Sequence, residues 1–175
     1  MTAEELLERY AAGERNFSGV RLERGARLRE AELPEINLSS ATLFRAKLNG
    51  ANLAGADLSY AILGSACLEE VNLRQANLSH TVISDGTLSN ADLSGADLSF
   101  ADLTSCPLVG TNLSRVNLIG TLFGSEPLLQ EADLTGIDLS QAEIQLPGGI
   151  ENPRIRGAIL KETVLPDGTR IISMS

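Results

Sequence analysis

The sequence predicts an all-β solenoid, in which the chain coils around one narrow apolar axis. Every fifth residue from Leu28 to Leu128 is large and apolar, and all but two of these residues are leucine. The residue two positions before each of them is small in most repeats, and most often it is alanine. Such a repeat determines the fold before any single residue is interpreted, because every unit adopts the same local structure.

A five-residue period fits neither a straight helix nor a flat strand. On an α-helix, successive leucines would be rotated by about 140° and would spread around all sides. On a flat strand the odd step would send successive leucines to opposite faces of the sheet. A chain that turns by a constant angle after every five residues places all of them in one interior. The period therefore predicts a β-helical solenoid.

The repeated unit, A-(D/N)-L-x-x, resembles the pentapeptide repeat family over roughly residues 17–165. The resemblance implies a right-handed quadrilateral β-helix, in which four pentapeptides complete one coil and the leucine and the small residue fill the axis. One pattern supports four units per coil independently. Tyr60, His80 and Phe100 are the only ring-bearing residues found two positions after a repeat leucine, and they are spaced by 20 residues.

We expect a single domain over residues 1–175, with three segments. Residues 1–13 are predicted as an α-helix, residues 14–165 as the solenoid and residues 166–175 as a C-terminal cap. Thr2 and Glu5 have the spacing of a capping box at the start of the helix. Because the terminal coil of a solenoid exposes apolar core and an unpaired edge, we expect this helix to cover the first coil.

Irregularities in the period predict where the coil accommodates extra residues. One residue too many separates Leu22 from Leu28, and another separates Leu128 from Leu134. Such insertions fit at corners as bulges. With Leu128 in phase with the preceding leucines, the sequence predicts that its side chain faces inward. Near the end of the chain, Pro-Asp-Gly at residues 166–168 predicts a turn that brings back a last strand.

The net charge of −9 argues against direct nucleic-acid binding, which depends on Lys and Arg to displace counterions from phosphate. No basic N-terminal region precedes an apolar core, and no apolar stretch approaches the ~18 to 20 residues that span a bilayer. The sequence therefore predicts a cytoplasmic protein without a membrane association. Its oligomeric state, monomer or dimer, stays open at this point.

The sequence predicts neither a cofactor nor a metal site. His80 is the only histidine, and Cys67 and Cys106 are separated by about two coils, too far to share a zinc ion. Ser79 and His80 together with Asp57 or Asp97 contain the residue types of a hydrolytic triad. A flat solvated face offers no pocket and no oxyanion donor, however, and catalysis requires both. A hydrolytic enzyme is therefore the least favoured of the functions considered.

The candidate interaction surface consists of Tyr60, His80, Phe100, Asp57 and Asp97. The three rings recur at one position of successive coils, and the two aspartates alternate with asparagine in the position before the leucine. Stacked rings and alternating Asn and Asp stabilise a solenoid by themselves. An exposed aromatic row is also typical of a binding surface. The sequence is consistent with both interpretations.

These observations predict a non-enzymatic rod that binds another macromolecule or serves as a structural element, with a protein partner whose identity is open. A second interpretation comes from the resemblance, since some members of the family resemble DNA in shape and charge and bind gyrase. The sequence supports this alternative weakly, because acidic residues exceed basic ones only modestly in the repeats and form no continuous acidic side.

Overall fold

Regular secondary structure is sparse in this computed structural model, which describes residues 1–124 and 127–172. One α-helix, α1, spans Ala3–Ala11. Four short strands follow: β1 at Leu122–Gly124, β2 at Glu143–Ile144, β3 at Thr163–Val164 and β4 at Arg170–Ile171. Short 3-10 helices lie at Leu139–Gln141, Gly149–Glu151 and Pro153–Ile155. β1 and β2 pair in parallel, whereas β3 and β4 pair antiparallel.

Most of the chain pairs through isolated parallel bridges between residues 20 positions apart. Asn37 bridges Asp57, Asp57 bridges Asn77, and three further columns run through Thr42, Lys47 and residue 52. Four five-residue units therefore lie between one residue and its partner in the next coil. Each side holds a single bridge because the chain turns within every unit. The prediction of an all-β chain is thus supported only in part, since continuous strands are few.

The backbone ladder explains why each unit repeats the same geometry. Leu58 donates its N–H to the carbonyl of Asn77 at 2.7 Å, and Asn77 donates to the carbonyl of Ala56 at 2.9 Å. Ala61 then donates to the carbonyl of Leu58 at 3.0 Å and closes the turn. The second turn residue has a positive φ, as in Tyr60 at 58°. This left-handed conformation lets the Tyr60 N–H reach the carbonyl of Ser79 at 3.0 Å.

The repeat leucines and the small residues form one continuous apolar core. Leu58, Leu78 and Leu98 are fully buried and lie in one hydrogen-bonded register. Alanine is the commonest small residue because the axis is narrow, but threonine also fits there. Thr81 is buried and its hydroxyl donates to the carbonyl of Leu58 at 2.8 Å. The polar group is therefore satisfied, which removes the penalty for burying it.

The inward orientation predicted for Leu128 is wrong. Leu128 is 38% exposed, and its neighbour Leu129 is fully buried. Leu108 donates to the carbonyl of Leu128 at 2.9 Å, which places Leu128 one position before the inward residue. The extra residue therefore lies between Phe123 and Leu129, ahead of the position that the period indicated. Two adjacent leucines give no sequence signal that distinguishes the two registers.

The coil becomes longer after this point. Asp133 bridges Ile159 and Asp138 bridges Val164, so the partners are 26 residues apart instead of 20. The additional residues include the 3-10 helices Gly149–Glu151 and Pro153–Ile155. The predicted Pro-Asp-Gly turn is present between β3 and β4, where Gly168 has a φ of 85°.

Helix α1 lies against the first coil. Thr2 is its N-cap, and the Thr2 hydroxyl accepts the N–H of Glu5 at 3.1 Å, as the capping-box spacing predicts. Leu6 is fully buried within the core, and Tyr10 packs against it. The Tyr10 hydroxyl donates to the carbonyl of Pro34 at 2.7 Å. The apolar residues of the helix are therefore covered by the coil.

The two cysteines differ in burial, and this difference predicts their reactivity. Cys106 is buried, and burial raises the pKa of its thiol to about 12. Cys67 is half-buried and its sulfur lies 3.4 Å from the Lys47 ammonium. Because the thiolate is the reactive form, we expect iodoacetamide at pH 8 to modify Cys67 in the native protein. Cys106 should react only after denaturation, as peptide mass spectrometry would detect. Comparable labelling of both in the native protein would contradict the burial of Cys106.

Candidate interaction surface

Tyr60, His80 and Phe100 form a stack of three rings, here called the ring ridge. The centroids of Tyr60 and His80 are 4.6 Å apart with an interplanar angle of 5°. Those of His80 and Phe100 are 5.1 Å apart with an angle of 12°. The spacing of 20 residues thus brings the rings together, as the sequence predicts. All three rings belong to exposed residues.

The ridge occupies turns, because each ring residue is the second turn residue of its unit. The φ angles of Tyr60, His80 and Phe100 are 58°, 57° and 58°. Each side chain at this position leans toward the next coil, and the Phe100 ring lies against Gly120. A Cβ atom at Gly120 would lie 2.6 Å from the Phe100 ring. Glycine is therefore the residue that leaves room for the last ring of the ridge.

Asp57 and Asp97 lie in the same units as Tyr60 and Phe100, on the side of the coil that ends at the ridge and is here called the ridge side, and each organises its own turn. Asp57 Oδ1 accepts the N–H of Ser59 at 3.0 Å and the amide of Asn77 at 3.2 Å. Asp97 Oδ1 accepts the N–H of Ser99 at 2.9 Å and the amide of Asn117 at 2.9 Å. Both bonds use the same oxygen in each aspartate. Within the described residues no protein group donates to Oδ2, which leaves that oxygen for an external donor.

The residue types of a hydrolytic triad are present but are not connected. Ser79 donates its hydroxyl to Asn77 Oδ1 at 2.8 Å, and His80 lies between two rings. Throughout the described part of the chain, no hydrogen bond joins His80 to Ser79, Asp57 or Asp97. A nucleophile requires a base within hydrogen-bonding distance, and this arrangement supplies none.

Basic residues are rare on two adjacent sides of the coil beyond the first coil. On the ridge side, units 36–40, 56–60, 76–80, 96–100 and 116–120 contain no Lys or Arg, and Arg15 lies on this side in the first coil. On the following side, units 41–45, 61–65, 81–85 and 101–105 with residues 121–124 contain one basic residue, Arg45, and Arg21 and Arg24 lie on this side in the first coil. The two sides therefore form a neutral to acidic area on both flanks of the ridge.

Several apolar residues on the following side were not predicted as part of the surface. Ile62 is 45% exposed, Leu122 is 36% exposed, and Val82 is half-buried in the same column. Most other units have Asn or Asp at this position, and the side chain of that Asn or Asp accepts the backbone N–H of the residue two positions later. The replacement of Asn or Asp by apolar residues was the sequence signal that could have identified them.

Neither metal ligation nor membrane insertion is indicated by the described residues. No three or more His, Cys, Asp or Glu side chains among residues 1–124 and 127–172 are grouped in a way that could hold a metal ion. In the same part of the chain, no helix has the length and hydropathy to cross a bilayer. The predicted cytoplasmic location stays a prediction.

Three solved structures illustrate what the chain is similar to. The pentapeptide repeat protein Rfr23 from the cyanobacterium Cyanothece 51142 is 25% identical; the match covers 71% of this chain and 97% of Rfr23, with a TM-score of 0.50. HetL from Nostoc sp. strain PCC 7120, described as involved in heterocyst differentiation regulation, is 30% identical. The match covers 98% of this chain and 100% of HetL, with a TM-score of 0.28. The plasmid-mediated fluoroquinolone resistance protein QnrB1 is 13% identical. The match covers 82% of this chain and 89% of QnrB1, with a TM-score of 0.42.

The family model for pentapeptide repeats matches the central part of the chain. Eight copies are recognised, over residues 24–59, 36–75, 72–108 and 96–123. No curated protein matches the sequence. The matched region covers more than half of the 175 residues and coincides with the coils of regular 20-residue spacing. This chain belongs to the pentapeptide repeat family.

Proposed function

We propose that this protein is a non-enzymatic, right-handed, four-sided β-helical rod that binds a protein partner through the ring ridge. Helix α1 caps its first coil, and the hairpin of β3 and β4 closes its other end. The 20-residue pairing and membership of the family support this architecture. The observation that carries the function is an exposed stack of three rings whose own units, 56–60, 76–80 and 96–100, contain no Lys or Arg.

The ridge has the properties of a preorganised binding surface. Tyr60 is 59% exposed and Phe100 is 55% exposed, so both present apolar surface to solvent. Aromatic anchors of this kind contribute much of the binding energy at protein interfaces. Stacking and the rigid turns hold the rings before a partner arrives. Little side-chain entropy is then lost on binding, which favours affinity.

Stability explains the ridge less well than binding does. A non-glycine residue in the left-handed conformation is disfavoured by roughly 1–2 kcal/mol. Each aromatic contact contributes only about 0.5–1.5 kcal/mol beyond its buried area. Three rings placed at left-handed positions make two such contacts, so stacking at best offsets the backbone strain. Other non-glycine residues, such as Ser65 and Glu70, adopt the same conformation without a ring contact, so ring stacking is not needed to hold this turn.

The charge around the ridge indicates the chemistry of the partner. Asp57 and Asp97 each have a carboxylate oxygen available, and the whole chain has a net charge of −9. A partner with a basic, partly apolar surface is therefore complementary, since charge steers the encounter while apolar anchors hold the complex. Direct binding to nucleic acid would oppose like charges.

Gyrase binding through imitation of DNA is the alternative for this same rod. It requires a continuous acidic surface, whereas Asp57 and Asp97 alternate with Asn37, Asn77 and Asn117 along the ridge side. No observation on the described surface favours this alternative over the ridge. A DNA supercoiling assay with gyrase tests it directly, and inhibition that survives the loss of the ridge rings would favour it.

Replacing Tyr60 and Phe100 together with serine should weaken partner binding by more than ~2 kcal/mol, or about thirtyfold. The thermal midpoint should stay nearly unchanged because both side chains are exposed. The immobilised protein would be used to capture its partner from a cell extract, followed by titration calorimetry with the purified partner. Ile159→Ser, an exposed apolar residue of another side, is the matched control and should bind normally.

The opposite result would assign the ridge to folding. Unchanged affinity together with a clearly lowered thermal midpoint would mean that the rings stabilise the coil and do not contact the partner. An equal loss of affinity in Ile159→Ser would mean that binding depends on general surface hydrophobicity, and it would also reject the ridge as the binding site.

A further inference from the structure

We infer that the binding surface extends from the ring ridge onto the following side, and that its partner is a basic amphipathic α-helix lying along the rod. This inference rests on the proposed function, because the ridge forms one margin of the surface. It adds the class of partner and a second row of contacts.

Exposed apolar residues cluster beside the ridge. Ile62 and Leu122 lie in one bridged column, with Val82 and Asp102 between them. Ile119, 48% exposed, lies on the other flank of the ridge. Most exposed large apolar side chains of the described chain therefore belong to this area, which includes the ridge itself. Contiguous exposed apolar surface of this kind marks interaction sites.

The composition of the column is unfavourable for the turn in which it lies. In the equivalent position Asp102 accepts the N–H of Thr104 at 2.9 Å and so stabilises the turn. Ile62, Val82 and Leu122 have no side-chain oxygen with which to accept such a bond. The column therefore gives up local hydrogen bonds while it exposes apolar surface, and binding to a partner accounts for both.

Charge complementarity determines the sign of the partner. Units 56–65, 76–85 and 96–105 and residues 116–124 contain no Lys or Arg. The same units contain Asp57, Asp85, Asp97 and Asp102, which are distributed around the apolar residues. An apolar strip with an acidic margin is complementary to a segment that has an apolar stripe between basic residues.

The backbone determines the secondary structure of the partner. Ile62 donates to the carbonyl of Ala41 at 2.8 Å, and Leu63 donates to the carbonyl of Val82 at 2.7 Å. The N–H groups along this side are therefore already used between coils. An added β-strand would find few backbone groups to pair with, whereas an α-helix satisfies its own backbone and contributes only side chains.

The dimensions also agree with a helix. Successive coils are about 4.8 Å apart, so the column from Ile62 to Leu122 is about 14 Å long. A helix rises about 5.4 Å per turn, and the same length corresponds to about ten residues. One apolar side chain per turn would then meet approximately one coil of the rod.

A synthetic peptide of about 14 residues, with leucines on one helical face and lysines on the other, tests this inference by fluorescence anisotropy in about 150 mM salt. An isomer of identical composition, scrambled to have no apolar face, is the matched control. We expect the amphipathic peptide to bind at least about tenfold more tightly. The double variant Ile62→Ser/Leu122→Ser should reduce its affinity by about tenfold, while Ile159→Ser should not.

Two further variants separate the contributions. The double variant Asp85→Asn/Asp102→Asn preserves side-chain shape and an acceptor oxygen, so its thermal midpoint should stay unchanged. Its affinity for the peptide should fall, and that affinity should depend less on salt concentration. Equal binding of the two peptides would overturn the inference, and so would equal loss in Ile159→Ser. Sensitivity to Tyr60→Ser/Phe100→Ser without sensitivity to Ile62→Ser/Leu122→Ser would reject the extension and leave the ridge in place. Absence of peptide binding beside ridge-dependent capture of a partner would reject the helix alone.

Discussion

Leu78→Ala is expected to lower the free energy of unfolding by ~2–5 kcal/mol, which is a large part of the stability of a domain. Leu78 is fully buried, and Leu58 and Leu98 are fully buried in the adjoining coils. Truncation removes apolar contacts and leaves a cavity that the neighbouring coils cannot fill, because their backbones are fixed by the hydrogen-bond ladder. Urea denaturation followed by circular dichroism would measure the loss.

Leu128→Ala is the matched control for that experiment. Leu128 lies outside the core at 38% exposure, so the same substitution should change stability by no more than about 0.5 kcal/mol. The pair also tests the corrected register, because the period alone would assign both leucines to the interior. Comparable losses in the two variants would return Leu128 to the core and contradict the register described here.

The position of the core was readable from the sequence because it depends on one repeated rule. A large apolar residue at every fifth position is compatible with a single interior, and the leucines of this period from Leu28 to Leu118 are buried there. The rule fails where a single residue is inserted, since Leu128 and Leu129 are chemically identical. Regular strands are few for a related reason. The period requires a turn in every unit, and each side then retains one bridging residue.

The candidate surface was predictable where it depends on spacing and missed where it depends on exposure. Twenty residues between Tyr60, His80 and Phe100 are enough to align them. Their left-handed backbone was not recognised, although no Val, Ile or Thr occupies this position among the units in which φ is positive. Ile62 and Leu122 were overlooked because the period distinguishes inward from outward positions, whereas their signal is the replacement of the Asn or Asp that most units have at this outward position.

Removing residues 1–13 should convert the protein into a species that associates end to end. Ala3 and Leu6 are buried, and the N–H of Glu23 is bonded to the carbonyl of Met1 at 3.1 Å. Deletion therefore exposes apolar core and unpaired backbone of the first coil together, which are the two features that promote association of solenoid ends. Light scattering over a range of protein concentrations would detect a rise in mean mass.

The single variant Leu6→Ser provides a graded version of the same test. It introduces a hydroxyl into the buried contact between α1 and the first coil while it leaves the chain length unchanged, so we expect weaker association than after the deletion. Glu8→Ala changes an exposed residue of the same helix and should leave the mass unchanged. If the deleted protein stays folded and monomeric at high concentration, α1 does not protect the first coil. The contacts of α1 with Pro34 and the core would then have a role other than protecting the end of the coil.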